Sequence, residues 1–178
     1  MTAFVALLRG VNVGGRTLVS MATLRREASA LRLEDVRTHL QSGNLLFRAP
    51  ARRSSRLPSE LEGALTAVAG VDVRVILRTK DELAKAVAGN PMVPSDLPGN
   101  KLHVVFLAGP PARRRIQELD PDRSPPDEFV VRGQHIYVSY PNGSGRSKLN
   151  LDYFERTIAT SATARNWNTV TKLLELMA

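Results

Sequence analysis

Four polar segments of the sequence combine glycines with cations or side-chain amides, which are the groups that bind anions. The first, residues 9–15, follows an apolar run and precedes a helical pattern, where backbone N–H groups can hold an anion. It matches neither the Walker A pattern nor G-x-G-x-x-G. Its candidate anion-binding residues are Arg9, Asn12, Gly14 and Gly15. The alternative is an ordinary glycine-rich connection in which Asn12 bonds its own backbone.

The second segment, residues 41–44, supplies the amides and hydroxyl of Gln41, Ser42 and Asn44. Serine, glycine and asparagine are also common turn residues, so the alternative is a plain hairpin turn.

The third and fourth segments carry the remaining candidate anion ligands. Residues 141–148 place two glycines, two cations and two hydroxyls before a helix, and phosphate sites combine such groups. Residues 165–169 surround the only tryptophan, Trp167, with polar side chains. The alternatives are a mobile surface loop and a core anchor for Trp167. The candidates are Gly143, Gly145, Arg146, Ser147, Lys148, Arg165, Asn166 and Asn168.

Other kinds of site lack their residues in this sequence. There are no cysteines, and His39, His103 and His135 have no metal-ligand spacing. No Ser-His-Asp arrangement and no pair of catalytic carboxylates can be identified, so the sequence predicts no catalytic residue and no metal site. It leaves open whether the protein is an enzyme, and it identifies no cofactor.

The basic charge is dispersed along the chain. Its 178 residues include 25 Lys and Arg against 17 Asp and Glu, a net charge of +8. The dense runs, Arg52-Arg53 with Arg56 and residues 113–115, have no interleaved aromatics, so we expect at most weak, non-specific nucleic-acid binding.

No apolar run approaches the ~18 residues of a membrane span. The N-terminus has no basic region before its apolar run, so the sequence predicts a cytoplasmic protein without a membrane segment.

The apolar periodicity predicts the same order of elements twice. The first half has strands at 4–8, 36–40, 45–48 and 73–77. Ser20 is predicted to cap a helix from Met21, Pro58 opens a second helix that Gly70 ends, and Thr79 and Glu82 form a capping box for a third. The proline-rich segment 90–101 follows. The second half has strands at 103–108, 129–131, 136–140 and 162–166, with helices from Pro111 and Leu151 and a last one capped by Asn168.

This order predicts an α/β (α+β) fold made by tandem duplication of a ferredoxin-like βαββαβ unit, each followed by an extra helix. The repeats are residues 1–89 and 90–178, either as two domains or as one compact two-repeat domain. The run from Phe4 to Leu8 is apolar on both faces of its strand. The sheet face away from the helices therefore needs a cover, and the candidates are the other repeat or a partner subunit. The oligomeric state stays open.

Three motifs in order resemble a bacterial family known as domain of unknown function 1697. They are residues 8–15 (LRGVNVGG), 41–44 (QSGN) and 165–170 (RNWNTV). The resemblance extends nearly from end to end. It implies two ferredoxin-like halves in a bacterial cytosolic protein with no established activity.

In a split βαβ sheet, the first and second polar segments lie at one end, and the third and fourth do so in the second half. The leading hypothesis is that all four line a cleft between the repeats and bind a small phosphate-bearing or otherwise anionic ligand, such as a nucleotide. The alternatives are an RNA-binding module of RRM-like architecture and a protein–protein interaction module that uses the open sheet face. RNA recognition by RRM sheets stacks bases on aromatics, whereas the matching positions here are Leu45, Leu46 and Phe47, without the K/R-G-F/Y-G/A-F pattern.

Overall fold

The chain forms two four-stranded antiparallel sheets, each with its own helices. A computed structural model describes residues 1–9, 11, 19–40 and 43–178. By its internal contacts the chain divides into unit 1, Met1–Leu83 with Leu173–Ala178, and unit 2, Ala84–Lys172. The repeat bounds 1–89 and 90–178 stay a prediction.

Both sheets have the same strand order, which confirms the tandem ferredoxin-like duplication. The orders are β2-β3-β1-β4 in unit 1 and β6-β7-β5-β8 in unit 2. In unit 1 the elements are β1 (Thr2–Arg9), α1 (Met21–Ala30), β2 (Glu34–His39), β3 (Asn44–Ala49), α2 (Leu57–Ala69) and β4 (Arg74–Thr79). The extra helix α3 (Lys80–Ala88) follows, and the chain passes into unit 2 within it.

In unit 2 the same elements recur as β5 (Leu102–Leu107), α4 (Arg113–Gln117), β6 (Glu128–Arg132), β7 (His135–Ser139), α5 (Leu151–Ile158) and β8 (Ala162–Asn166). The last helix is α6 (Trp167–Leu176), and its final residues belong to unit 1. Helix α4 is shorter than its pattern predicts. The helix consists of three arginines, Ile116 and Gln117, and none of these residues is buried. Because little apolar surface is buried there, a longer helix is not stabilised.

Helices cover the first face of each sheet. In unit 1, Phe4, Ala6 and Leu8 of β1 pack with Leu24 of α1 and Leu61 of α2. The corresponding core of unit 2 contains Val105, Leu107, Ile136, Phe154 and Ile158. Burial of these apolar side chains is the main source of stability for such a layer.

The opposite face of the sheet in unit 1 is also buried. Cross-strand partners share a face, and the register places Val5 beside Leu46 and Arg78, and Leu7 beside Ile76. All five side chains are at most 6% exposed. Part of the cover comes from Leu173–Ala178, because the guanidinium of Arg37 donates to the Leu176 carbonyl at 2.9 Å.

Unit 2 has an equivalent buried second face. It carries Val104, Phe106, Tyr137, Thr163 and Arg165, all at most 7% exposed. The Tyr137 hydroxyl donates to the carbonyl of Ala86 in α3 at 2.8 Å. A helical segment assigned to the same unit therefore lies over part of each second face, in agreement with the predicted need for a cover.

Candidate functional site

The loop between β7 and α5 is tied to the start of β5 and to its own far end. The Tyr140 backbone N–H donates to the Lys101 carbonyl at 2.8 Å. The Tyr140 hydroxyl donates to the Leu149 carbonyl at 2.7 Å, and the Lys101 ammonium donates to the Pro141 carbonyl at 2.6 Å. These hydrogen bonds fix both ends of residues 141–148, one end to the start of β5 and the other to Tyr140.

The backbone conformation of this loop requires glycine at position 143. Gly143 has φ 86° and ψ 157°, a combination that side-chain-bearing residues rarely adopt. A short 3₁₀ turn at Ser144–Arg146 follows. Among the residues that the structure describes, the backbone N–H groups of Ser144 and Gly145 have no hydrogen-bond partner. Neither N–H group is therefore committed to another described residue.

A second segment, residues 124–127, faces the loop and is bonded to it. The Ser124 hydroxyl accepts from the Lys148 backbone N–H at 3.1 Å and donates to Asp127 Oδ2 at 3.0 Å. The Arg123 guanidinium donates to the Lys148 carbonyl at 3.0 Å and lies 3.9 Å over the Tyr153 ring. The two segments thus form two connected walls of one site.

A cavity of about 450 Å³ lies between these walls; we call it the loop pocket. It is lined by residues 124–127 and by Asn142, Gly143, Gly145, Arg146 and Ser147. Arg146 is exposed, and its guanidinium makes no hydrogen bond or ion pair with any described residue. Asp127 is only 7% exposed. The loop pocket is therefore lined by both an unpaired cation, Arg146, and a buried carboxylate, Asp127.

Tyr140 lies behind the pocket and serves to hold the loop. Burial, and next the negative charge of Asp127, raise the pKa of the Tyr140 phenol. The phenol consequently stays protonated at neutral pH and keeps its hydrogen bond to Leu149. A general-base role for this phenol at neutral pH has no support from this environment.

The predicted site residues of unit 1 are only partly within the described residues. Asn12, Gly14, Gly15, Gln41 and Ser42 lie outside them. The two segments are neighbours where they are described, because the Leu8 N–H donates to the Gly43 carbonyl at 2.9 Å. Arg9 is half-buried opposite Arg74. Asn44 is fully buried, and its amide donates to the His39 carbonyl at 2.8 Å.

The fourth polar segment lies at the same end of its sheet as the third but does not line the loop pocket. Ser139 ends β7 opposite Leu102, and Asn166 ends β8 opposite His103, at the start of β5. None of Arg165, Asn166 and Asn168 is among the residues of the pocket.

Arg165, Asn166 and Asn168 each have a contact within the protein. Arg165 is 7% exposed and donates to Thr163 Oγ1 at 2.9 Å. Burial lowers the pKa of Arg165 to about 10, so it remains charged at neutral pH. Asn166 caps α6 by accepting from the Thr169 N–H at 2.9 Å. The cap predicted at Asn168 is wrong, because the helix begins at Trp167 and the Asn168 side chain lies against Gly99.

The described residues carry few other groups that could do chemistry. They contain no group of three or more His, Asp or Glu side chains arranged to hold a metal ion. Every helix among them is too short or too polar to cross a bilayer.

Sequence reasoning missed one wall of the loop pocket. Ser124 and Asp127 lie about 20 residues before the loop in a segment without a recognisable motif, and only the fold brings them to Arg146. A lone Asp after two prolines has no pattern that distinguishes it from an ordinary loop residue.

The fold defines an α+β protein with two ferredoxin-like units. Over residues 1–137 the chain matches the family described as protein of unknown function (DUF1697), and it belongs to that family. The solved structure of the conserved bacterial protein SP0830 from Streptococcus pneumoniae is similar to it, with 21% sequence identity and a TM-score of 0.75. The similarity covers 99% of this chain and 98% of that one, and it shows a shared fold. No curated protein matches the chain.

Proposed function

We propose that this protein binds a small phosphate-bearing or otherwise anionic ligand, such as a nucleotide, and that the loop pocket holds its anionic group. The observation that carries the proposal is the free guanidinium of Arg146 on a glycine-containing loop that lines a cavity of about 450 Å³. An arginine beside a cavity whose guanidinium is not engaged by a carboxylate or carbonyl of the protein offers its charge and its fork of N–H donors to an anion.

Backbone donors support the same assignment. The N–H groups of Ser144 and Gly145, which no other described residue accepts, lie directly before Arg146. Backbone N–H groups beside a cation are the usual elements of a phosphate site, and Gly145 and Arg146 both line the loop pocket. The volume falls within the ~300–1,000 Å³ that small-molecule pockets occupy.

The two alternative functions have less support. An RRM-like module and a module that docks through an open sheet face both need an exposed second face. On that face, Val5 and Leu7 in unit 1 are fully buried, and so are Val104 and Phe106 in unit 2. The Phe106 and Tyr137 rings of the second face in unit 2 are therefore not available for base stacking.

Calorimetry with the full chain and ribose 5-phosphate tests the proposal, with Arg146→Ala as the variant. Loss of a charge-assisted contact of about 1.5 kcal/mol should weaken binding roughly tenfold. Arg114→Ala is the matched control, because it removes the same charge from an exposed side chain that meets Glu118 at 4.0 Å. Equal affinities of natural chain and Arg146→Ala, or no binding at all, would contradict the proposal.

A further inference from the structure

We propose that the ligand of the loop pocket carries hydrogen-bond donors, either hydroxyls or an ammonium group, beside its anionic group, and that the Asp127 carboxylate accepts them. This inference rests on the proposed function, and it specifies the class of ligand. The loop pocket contains a buried carboxylate, Asp127, and an anion bound at Arg146 leaves that carboxylate without a partner.

Asp127 is buried with less compensation than a buried carboxylate usually has. Only 7% of the residue is exposed. Its side chain accepts one hydrogen bond, from the neutral Ser124 hydroxyl to Oδ2 at 3.0 Å. Within the described part of the chain, no Arg, Lys or His pairs with it. Burial of an unpaired carboxylate is costly, so such groups normally have a cation or several donors.

The second carboxylate oxygen of Asp127 is available for a further hydrogen bond. Oδ1 has no partner among the described residues. Among those same residues, the only fully enclosed side-chain atom without a partner is His103 Nδ1. Asp127 Oδ1 is therefore not sealed in protein. Asp127 lines the loop pocket and also a neighbouring cavity of about 400 Å³. Its hydrogen-bond partner Ser124 lines the loop pocket alone of the two, so the carboxylate is linked to the side of Asp127 on which a ligand of the loop pocket would lie.

Arg146 does not neutralise Asp127, although both line the same cavity. No nitrogen–oxygen distance between the two side chains falls within the 4 Å that defines an ion pair. A simple anion bound at Arg146 consequently meets an uncompensated negative charge across the pocket, which opposes its binding. A ligand with donors at its other end converts that repulsion into a hydrogen bond.

The size of the pocket agrees with a ligand of two groups. About 450 Å³ is far more than a phosphate group needs, and it lies in the range of pockets for complete small molecules. Two sources supply the required chemistry: the hydroxyls of a sugar phosphate and the ammonium of a zwitterion. Both place an anion at Arg146 and donors at Asp127.

Three probes separate these cases by calorimetry with the full chain at about pH 8, where phosphate monoesters are dianions. Methyl phosphate is the anion without donors, ribose 5-phosphate adds hydroxyls, and phosphoethanolamine adds an ammonium. We expect at least one of the last two to bind tenfold or more tightly than methyl phosphate, and the tighter one identifies the source of the donors.

The variant Asp127→Asn keeps the size of the side chain and an oxygen that can accept from Ser124. It should reduce the preference over methyl phosphate by about tenfold, whereas Arg146→Ala should weaken all three probes. The comparison of probes on the natural chain needs no variant, so it remains decisive if Asp127→Asn folds poorly.

Two outcomes overturn the inference and differ in what they say about the proposed function. If methyl phosphate binds as tightly as both other probes, an anion site exists but Asp127 does not select the ligand. If none of the three binds, both the anion site and the inference fail. A preference that survives unchanged in folded Asp127→Asn also overturns the role of this carboxylate.

Discussion

Gly43 occupies a backbone position that a side chain would strain. Its φ is +81°, and a Cβ atom there would lie 2.9 Å from Leu8 Cβ. We expect Gly43→Ala to lower the free energy of unfolding by about 2 kcal/mol or more, because the left-handed conformation and the close contact both penalise alanine. Urea unfolding followed by circular dichroism measures the change.

Gly63 provides the matched control for this substitution. It lies within α2, and a Cβ atom there would meet nothing within 4 Å. Gly63→Ala should raise the free energy of unfolding by about 0.5–1 kcal/mol through helix propensity. Similar effects of the two substitutions would contradict the role assigned to Gly43.

His103 makes the stability depend on pH. Burial lowers its pKa below the usual value of 6.5, and its Nδ1 atom is enclosed without a partner. The unfolded chain therefore binds a proton more readily than the folded one, and stability falls as the pH drops below about 6.5.

The variant His103→Phe isolates this effect and keeps a ring against Tyr140, whose centroid lies 5.0 Å from that of His103. We expect the free energy of unfolding to fall less in the variant than in the natural chain between about pH 7.5 and pH 5.5. Urea unfolding at both pH values measures the difference, and an identical pH dependence would show that His103 does not contribute.

Arg78 and Arg165 are buried arginines whose side-chain direction residue types alone do not reveal. Arg78 lies opposite Val5 and Arg165 opposite Val104, the equivalent positions of the two repeats. Each donates to the carbonyl of the residue before it. Sequence reasoning assigned Arg165 to an anion site because its neighbours are polar, but it could not tell which face of β8 the side chain takes.

Helix termini are the elements that the sequence predicts best, because their signals are local. Ser20 accepts from the Thr23 N–H as predicted, and Thr79 and Glu82 form the predicted capping box of α3. Gly70 ends α2 in the left-handed conformation. The loop pocket depends on contacts between residues 124–127 and a distant loop, and no local signal encodes such contacts.

Asn166 allows a test that separates a helix cap from a binding residue. Asn166→Ala removes the acceptor of the Thr169 N–H at the start of α6. We expect the free energy of unfolding to fall by about 1 kcal/mol, with ribose 5-phosphate affinity unchanged. Asn166→Asp keeps an acceptor and should restore most of the stability. A large loss of ribose 5-phosphate affinity in folded Asn166→Ala would instead show that Asn166 takes part in binding.

At the scale of the whole molecule, the duplication explains how a chain with few aromatics buries both faces of two sheets. Unit 1 includes Leu173–Ala178, and unit 2 includes residues 84–88 of α3. Each unit thus has a helical segment on its second face, where Arg37 and Tyr137 provide the hydrogen bonds described above. The sequence predicted the extra helices and the need for a cover, but the segment that covers each face depends on tertiary packing.

The net charge of +8 is the remaining property of the whole molecule that suggests a polyanionic partner. Its arginines are dispersed, and the aromatic side chains Phe106 and Tyr137 on the second face of unit 2 are at most 2% exposed. We therefore expect nucleic-acid binding to be weak, independent of sequence and lost as salt approaches physiological concentration, since it rests on counterion release alone. Fluorescence anisotropy with mixed RNA and DNA oligonucleotides over a salt series measures this. Tight binding at physiological salt with a preference for particular bases would refute the expectation and favour an RNA-binding function.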